Sequence, residues 1–149
     1  MKKLLQISAV IFFLACNNSA NDTEGPAKAQ ADSLMKEVME GHNAAMAKMT
    51  RIEETQKKIQ QEIDSISKLP DPAQKNSGTY KVRLDSMLSR LRSANLAMDS
   101  WMEGFNMDSS LNNPDERIKY LQSEKIKVFQ VKDEMIGDLQ EADSLLKKK

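Results

Sequence analysis

The chain has 149 residues with 22 basic and 22 acidic side chains; 30% of its residues are charged, only 5% are aromatic, and its mean hydropathy is −0.58. That length suits one domain, and the absence of a basic excess argues against nucleic acid, which calls for a positively charged face. Few aromatics among many charges suit long amphipathic helices around a thin seam, not a thick core enclosing a deep catalytic cleft.

Lys2 and Lys3 precede an apolar run over 4–15, which ends at the single cysteine, Cys16. A charged start followed by a short apolar region, close to the roughly 7–15 residues expected, reads as an export signal over 1–15; a membrane span needs about 20. Phe13-Leu14-Ala15-Cys16 resembles a bacterial lipobox, with Phe13 where Leu, Val or Ile is usual. The resemblance implies that Cys16 carries acyl chains such as palmitate, becomes the mature N-terminus and anchors the protein to a membrane of the cell envelope. Asn17, rather than Asp, after that cysteine implies outer-membrane sorting under the rule familiar from some bacteria, with the membrane face left open. The alternative is an ordinary signal peptide cut elsewhere, leaving Cys16 as a free exported thiol. With Cys16 lipidated, no disulfide can form. Loss of Lys2 and Lys3 leaves 20 basic against 22 acidic groups.

Residues 16–31 are small and polar and read as a lipidated cysteine followed by a tether. From about 32 to 69, Met35, Val38, His42, Ala45, Met49, Ile52, Gln56, Ile59, Ile63 and Ile66 recur at spacings of three and four, which predicts one long helix stopped at Pro70-Asp71-Pro72. The second helix has two candidate starts: Pro72, with Asp71 as cap and Gln74 closing a box, or Thr79 as cap after Gly78. The later start is preferred, giving 79–107, because Asn76-Ser77-Gly78 is a poor helix interior. Its stripe includes Leu84, Leu91, Met98, Trp101, Met102 and Phe105. After a loop over 108–112, Asn113-Pro114-Asp115-Glu116 supplies a cap, a proline at the first helical position and acids facing the positive dipole end of a third helix, 114–147. Lys125 and Lys132 interrupt its stripe and should lay their stems along the seam. The expected fold is all-α: an antiparallel up-down-up three-helix bundle over 32–149 with long coiled-coil-like helices.

In such a hairpin, facing residue numbers sum to a constant. If Leu69 faces Thr79, Met46 lies opposite Met102, Met49 opposite Asp99 and His42 opposite Asn106. The lone histidine, the lone tryptophan and most methionines then share one level, with Tyr120, Leu121 and Glu124 at similar height. Two chemistries fit. Thioether and imidazole donors suit Cu(I) or Ag(I), and His42, Met46 and Met49 could present three such donors, with Met98 or Met102 across the seam and Trp101 and Glu124 flanking. Alternatively, methionines fill gaps in a narrow core beside Trp101 and Phe105, and His42 fixes register; methionine stripes at helical spacing are usually core.

Catalytic signatures are few. One histidine and a consumed cysteine offer no basis for a Ser-His-Asp or Cys-His site, the five glycines form no phosphate loop, and no zinc or calcium ligand spacing occurs. The phrases over 42–49 (His42-Asn43-Ala44-Ala45-Met46-Ala47-Lys48-Met49), 97–105 and 120–126 resemble a group of small bacterial lipoproteins of unknown function, often labelled "viral A-type inclusion protein". That resemblance implies that the three phrases form one functional or packing centre, and implies no reaction. The lysine-rich end also resembles the murein lipoprotein, from which Pro70, Pro72, Pro114 and three terminal lysines depart. The expected role is a non-catalytic binding or scaffolding module with an envelope protein partner; the rivals are a Cu(I)/Ag(I)-binding protein and a holdase-like envelope chaperone. Oligomeric state stays open.

Overall fold

The structure, a computed structural model, describes residues 25–147; the expectations for the 1–15 leader, Cys16, the tether up to residue 24 and the last two lysines lie outside them. The described residues are all-helical, with no strand: α1 Pro26–Met46, α2 Met49–Ser67, α3 Asp71–Asn76, α4 Gly78–Gly104 and α5 Pro114–Lys147.

Helix α1 starts earlier than the expected tether boundary at 31. Gly25 precedes Pro26 at the first helical position, where a fixed φ and a missing N–H cost nothing. Ala27, Lys28, Ala29, Gln30 and Ala31 are good helix formers, and Ala31 and Leu34 are buried. Small polar composition alone misread a segment whose propensity is helical.

The expected continuous helix over 32–69 is interrupted at Ala47 and Lys48. There the Lys48 N–H donates to the Ala45 carbonyl at 2.8 Å, three residues back, and the Ile52 N–H resumes the four-residue pattern onto the Lys48 carbonyl at 2.9 Å. A local three-residue bond tightens the turn and separates α1 from α2. Before the break α1 packs chiefly on α5; beyond it α2 packs chiefly on α4. The buried stripe nevertheless keeps its phase across the break, from Val38, Gly41 and Ala45 to Ile52, Thr55 and Ile59.

A separate helix begins beside each candidate start of the second helix, one residue earlier than expected: α3 at Asp71 rather than Pro72, and α4 at Gly78 rather than Thr79. Pro70 caps the short α3, and the Asp71–Gln74 box does not form. Gln74 Nε2 donates instead to the carbonyls of Ser67 and Leu69, at 3.0 and 2.7 Å, satisfying acceptors that the end of α2 leaves open. Ser77, rather than Thr79, precedes α4, which ends at Gly104 rather than 107 because Phe105 turns to extended backbone (ψ 119). At α5 the expected cap is present: Asn113 Oδ1 accepts from the Glu116 N–H at 3.3 Å.

The pairing of side chains between helices follows a simple register. Glu37 pairs with Lys125, 88 positions on, and Arg51 with Asp143, 92 positions on, so partner numbers rise together along α1–α2 and α5. Against α4 they run oppositely: His42 meets Met102 and Gln60 meets Arg92, while on α5 Glu124 meets Trp101 and Asp138 meets Arg90. The seam holds Ile52, Ile59, Leu84, Leu91, Met98, Leu121, Val128 and Met135, all fully buried. Gly41 marks a close approach of α1 to α5, since a Cβ there would stand 2.9 Å from the Phe129 ring and 3.1 Å from Val128 Cγ1. The Lys132 ammonium lies 4.3 Å from the Phe129 ring centroid, a cation held over an aromatic face, with its side chain mostly buried along the seam.

Candidate functional site

The C-terminal halves of α1 and α4 and the first turns of α5 bring large and polar side chains to one level. Trp101 sits on the buried face of α4, one turn beyond the fully buried Met98. Phe105, the next turn on, stacks against it at 4.8 Å between centroids, and Tyr120 of α5 extends the stack at 6.1 Å from Phe105. The His42 ring of α1 also lies against the indole, 5.7 Å away and tilted by 35°. Four rings from three helices thus form one row, with separations typical of favourable aromatic pairs.

The polar edges of this row are bonded. Trp101 Nε1–H donates to Glu124 Oε2 at 3.0 Å, and the Lys127 ammonium donates to Glu124 Oε1 at 2.7 Å. Glu124 is a buried carboxylate, so two donors, one of them charged, offset the loss of its hydration. The hydrogen bond to Glu124, then its charge, hold the Lys127 ammonium above its ordinary value. The Tyr120 hydroxyl accepts the Asn106 N–H at 2.7 Å. Arg117, also buried, donates from Nη1 to the carbonyls of Met107 at 3.0 Å and Ser109 at 2.8 Å. Beside the indole, Ala97, Ser100 and Gly104 of α4 leave a groove of about 310 Å³ toward α5, with Glu124, Lys127 and Val131 on its other wall.

His42 is the one member whose contacts leave chemistry open. Its Nδ1 lies 3.1 Å from Asn43 Oδ1 and its Nε2 lies 3.3 Å from Met102 Sδ. Which ring nitrogen carries the hydrogen decides the roles: Nε2–H donates to the thioether in one tautomer, and in the other the Nε2 lone pair faces sulfur, an arrangement in which a soft cation could be shared between them.

Of the residues expected to form a metal set, His42 and Met102 come together. Met98 is buried next to them on α4, and Met46 and Met49 are half-buried against the core on opposite sides of the α1–α2 break. The expected facing of Met46 with Met102 and His42 with Asn106 is displaced by one turn, since His42 itself meets Met102. Trp101 and Glu124, expected only as flanking groups, are the hydrogen-bonded centre of the site. Arg117 was missed, although it stands four residues before Leu121 in the buried phase of α5. Among the described residues no group of three His, Cys, Asp or Glu side chains is arranged to hold a metal, so a cation here would rest on nitrogen and sulfur. No family model, curated protein or solved structure matches the chain.

Proposed function

We propose that this chain is a lipid-anchored cell-envelope protein whose helices form an antiparallel up-down-up three-helix bundle, and that it binds or scaffolds a protein partner rather than catalysing a reaction. The observation that carries the reading is the N-terminal sequence itself, two lysines, an apolar run and Phe13-Leu14-Ala15-Cys16, a charged start and short apolar region of the exported kind. The register of Glu37 with Lys125 and of His42 with Met102 supports the bundle topology. The likeness of the phrases at 42–49, 97–105 and 120–126 to small lipoproteins supports the same reading, because those phrases supply His42, Trp101, Met102, Phe105, Tyr120 and Glu124. A row of rings bonded along its edges suits a rigid presenting surface better than a reaction centre, which needs groups free to exchange protons. The test is to feed cells labelled palmitate. The protein should incorporate label and sediment with outer membranes, and Cys16→Ser should abolish both; a wild-type chain that stays unlabelled and soluble overturns the anchor.

A second reading, a Cu(I)- or Ag(I)-binding protein, is favoured by the contact of His42 Nε2 with Met102 Sδ at 3.3 Å. At the bond lengths zinc takes, near 2.0 Å to nitrogen and 2.3 Å to sulfur, a tetrahedral angle separates the donors by about 3.5 Å, and a larger soft ion needs somewhat more, so a few tenths of an ångström of widening would admit it. Trp101, next to His42, reports occupancy. Titrating Ag(I) into the protein should quench Trp101 at about one equivalent, and Met102→Leu should remove the effect; no quenching overturns this reading and leaves the methionines as packing.

A further inference from the structure

The loop between α4 and α5 carries two exposed apolar side chains, Met107 and Leu111, each 56% accessible. Other exposed apolar residues, Val82, Leu96 and Ile126, stand singly on helix flanks, as is ordinary for soluble helices. The loop differs from those flanks in three respects.

First, the loop lies at the end of the molecule where the described chain begins. Glu37 pairs with Lys125, 88 positions on, and Gly41 lies against Phe129, the same distance on. That offset brings Pro26 level with Pro114, beside the loop. Second, part of its backbone is already bonded. The Arg117 guanidinium binds the carbonyls of Met107 and Ser109, Tyr120 Oη accepts the Asn106 N–H, Asn106 Oδ1 accepts the Asp108 N–H at 2.9 Å, and the Asn113 N–H reaches the Ser110 carbonyl at 3.0 Å. Moving peptide groups out of water is costly mainly when they lack partners, and here that cost is reduced in advance. Third, residues 106–113 hold one charged side chain, Asp108. Ser110, the only non-glycine at positive φ (57°) among the described residues, turns the chain just before Leu111, a local strain of the kind kept where a loop has work to do.

We propose that this loop is a second membrane contact, with Met107 and Leu111 seated in the interface of an uncharged phospholipid leaflet, so that the helices stand on their α4–α5 end. The proposal rests on the lipid anchor at Cys16. Nine residues, 17–25, separate that anchor from α1 and reach at most roughly 30–32 Å when fully extended. Helix α5, with 34 residues, is about 51 Å long. The tether therefore cannot let the opposite end, the α2–α4 connection, be the sole membrane contact, because Pro26 would then stand beyond its reach. An apolar tip with part of its backbone bonded inserts by the same balance that governs interfacial segments, buried apolar area against polar desolvation.

The test uses the full lipidated chain in phosphatidylcholine–phosphatidylethanolamine vesicles, with an environment-sensitive nitrobenzoxadiazole dye on Leu111→Cys and, as controls, on Leu96→Cys and Leu69→Cys. At position 111 the dye should brighten about twofold or more, shift to the blue and be quenched by spin-labelled acyl chains, as for a group at the headgroup–acyl boundary; at 96 and 69 it should remain open to aqueous iodide. Adding Met107→Asp should return position 111 to water. A dye at 111 that stays iodide-accessible in a protein that floats with the vesicles overturns the loop contact alone. If Cys16 is not lipidated, the dye also labels the chain lacking any added cysteine, and the anchor falls together with the loop contact.

Discussion

The two halves of the helix assembly solve the same packing problem with different side chains. In the half built from α2 and the start of α4, the seam is aliphatic: Ile52, Ile59, Ile63, Ile66, Leu84 and Leu88. In the half built from α1, the end of α4 and the start of α5, it is a row of rings with a buried carboxylate and a buried guanidinium. The aliphatic half holds two buried polar atoms without a hydrogen-bond partner, Gln56 Nε2 and Asn95 Oδ1, whereas Glu124 and Arg117 at the other end each make two hydrogen bonds. Buried polar groups are thus tied in where Glu124 joins α5 to α4 and Arg117 joins α5 to the loop after α4. The aromatic end should respond to substitution as a connected unit, and the aliphatic end residue by residue.

The sharpest way to break that contrast is to remove its central side chain. Trp101→Ala deletes a buried indole, two ring contacts and the donor to Glu124, and should cost about 3–5 kcal/mol in urea-induced unfolding. Ile59→Val, at a fully buried site of the other half, should cost only about 0.5–1.5 kcal/mol. Glu124→Leu is next: it takes the acceptor from the largely buried Trp101 Nε1–H, for about 1–3 kcal/mol, with a change in Trp101 emission. Glu124→Gln keeps an acceptor and should lose less than half as much. Equal losses for the two variants would mean that charge, rather than the bond to the indole, is what the site needs.

The opposite sign is expected in the aliphatic half. Gln60 contacts Arg92 at 3.4 Å, and Gln56 and Asn95 lie one turn from those residues on α2 and α4, at a common level. Replacing both by leucine removes an orphan donor and an orphan acceptor and should raise unfolding stability by about 1–2 kcal/mol. A loss instead would show that the two amides bond to each other in solution.

Much of this was legible in the amino-acid order, and the misses have physical causes. Spacings of three and four gave the helical class and placed most of the seam, because burial of one face dominates those intervals. Summed residue numbers brought His42, Trp101 and Met102 to one level but mispaired them by a turn: the rule assumes unbroken helices and a simple turn, while the chain breaks at Ala47–Lys48 and inserts α3. The early start of α1 was hidden by composition, since Ala, Lys and Gln look like a linker when read for polarity and like a helix when read for propensity. Arg117 and Glu124 fall in the apolar phase of α5, four before and three after Leu121; the summed numbers set Glu124 at the height of Trp101 as a flanking group, but the 107 and 109 carbonyls that hold Arg117 lie in a loop, to which no periodicity points.

The smallest effect tests the rim of the aromatic end. Lys127 donates to Glu124 at 2.7 Å, but its side chain is 59% exposed while the carboxylate is 7% exposed, so the attraction is screened and should contribute below about 1 kcal/mol. The pH dependence has a definite sign. The hydrogen bond and charge of Glu124 raise the lysine above its ordinary 10.5, so the folded state holds this proton more tightly than the unfolded chain. The contribution is therefore complete below pH 10.5 and fades as pH climbs through the higher folded value. Comparing wild type with Lys127→Met, the stability difference should stay level from neutral pH to that point, shrink above it, and shrink at neutral pH in about 1 M salt. A difference indifferent to both pH and salt would assign Lys127 to packing of its stem beside Trp101, leaving Glu124 held by the indole alone.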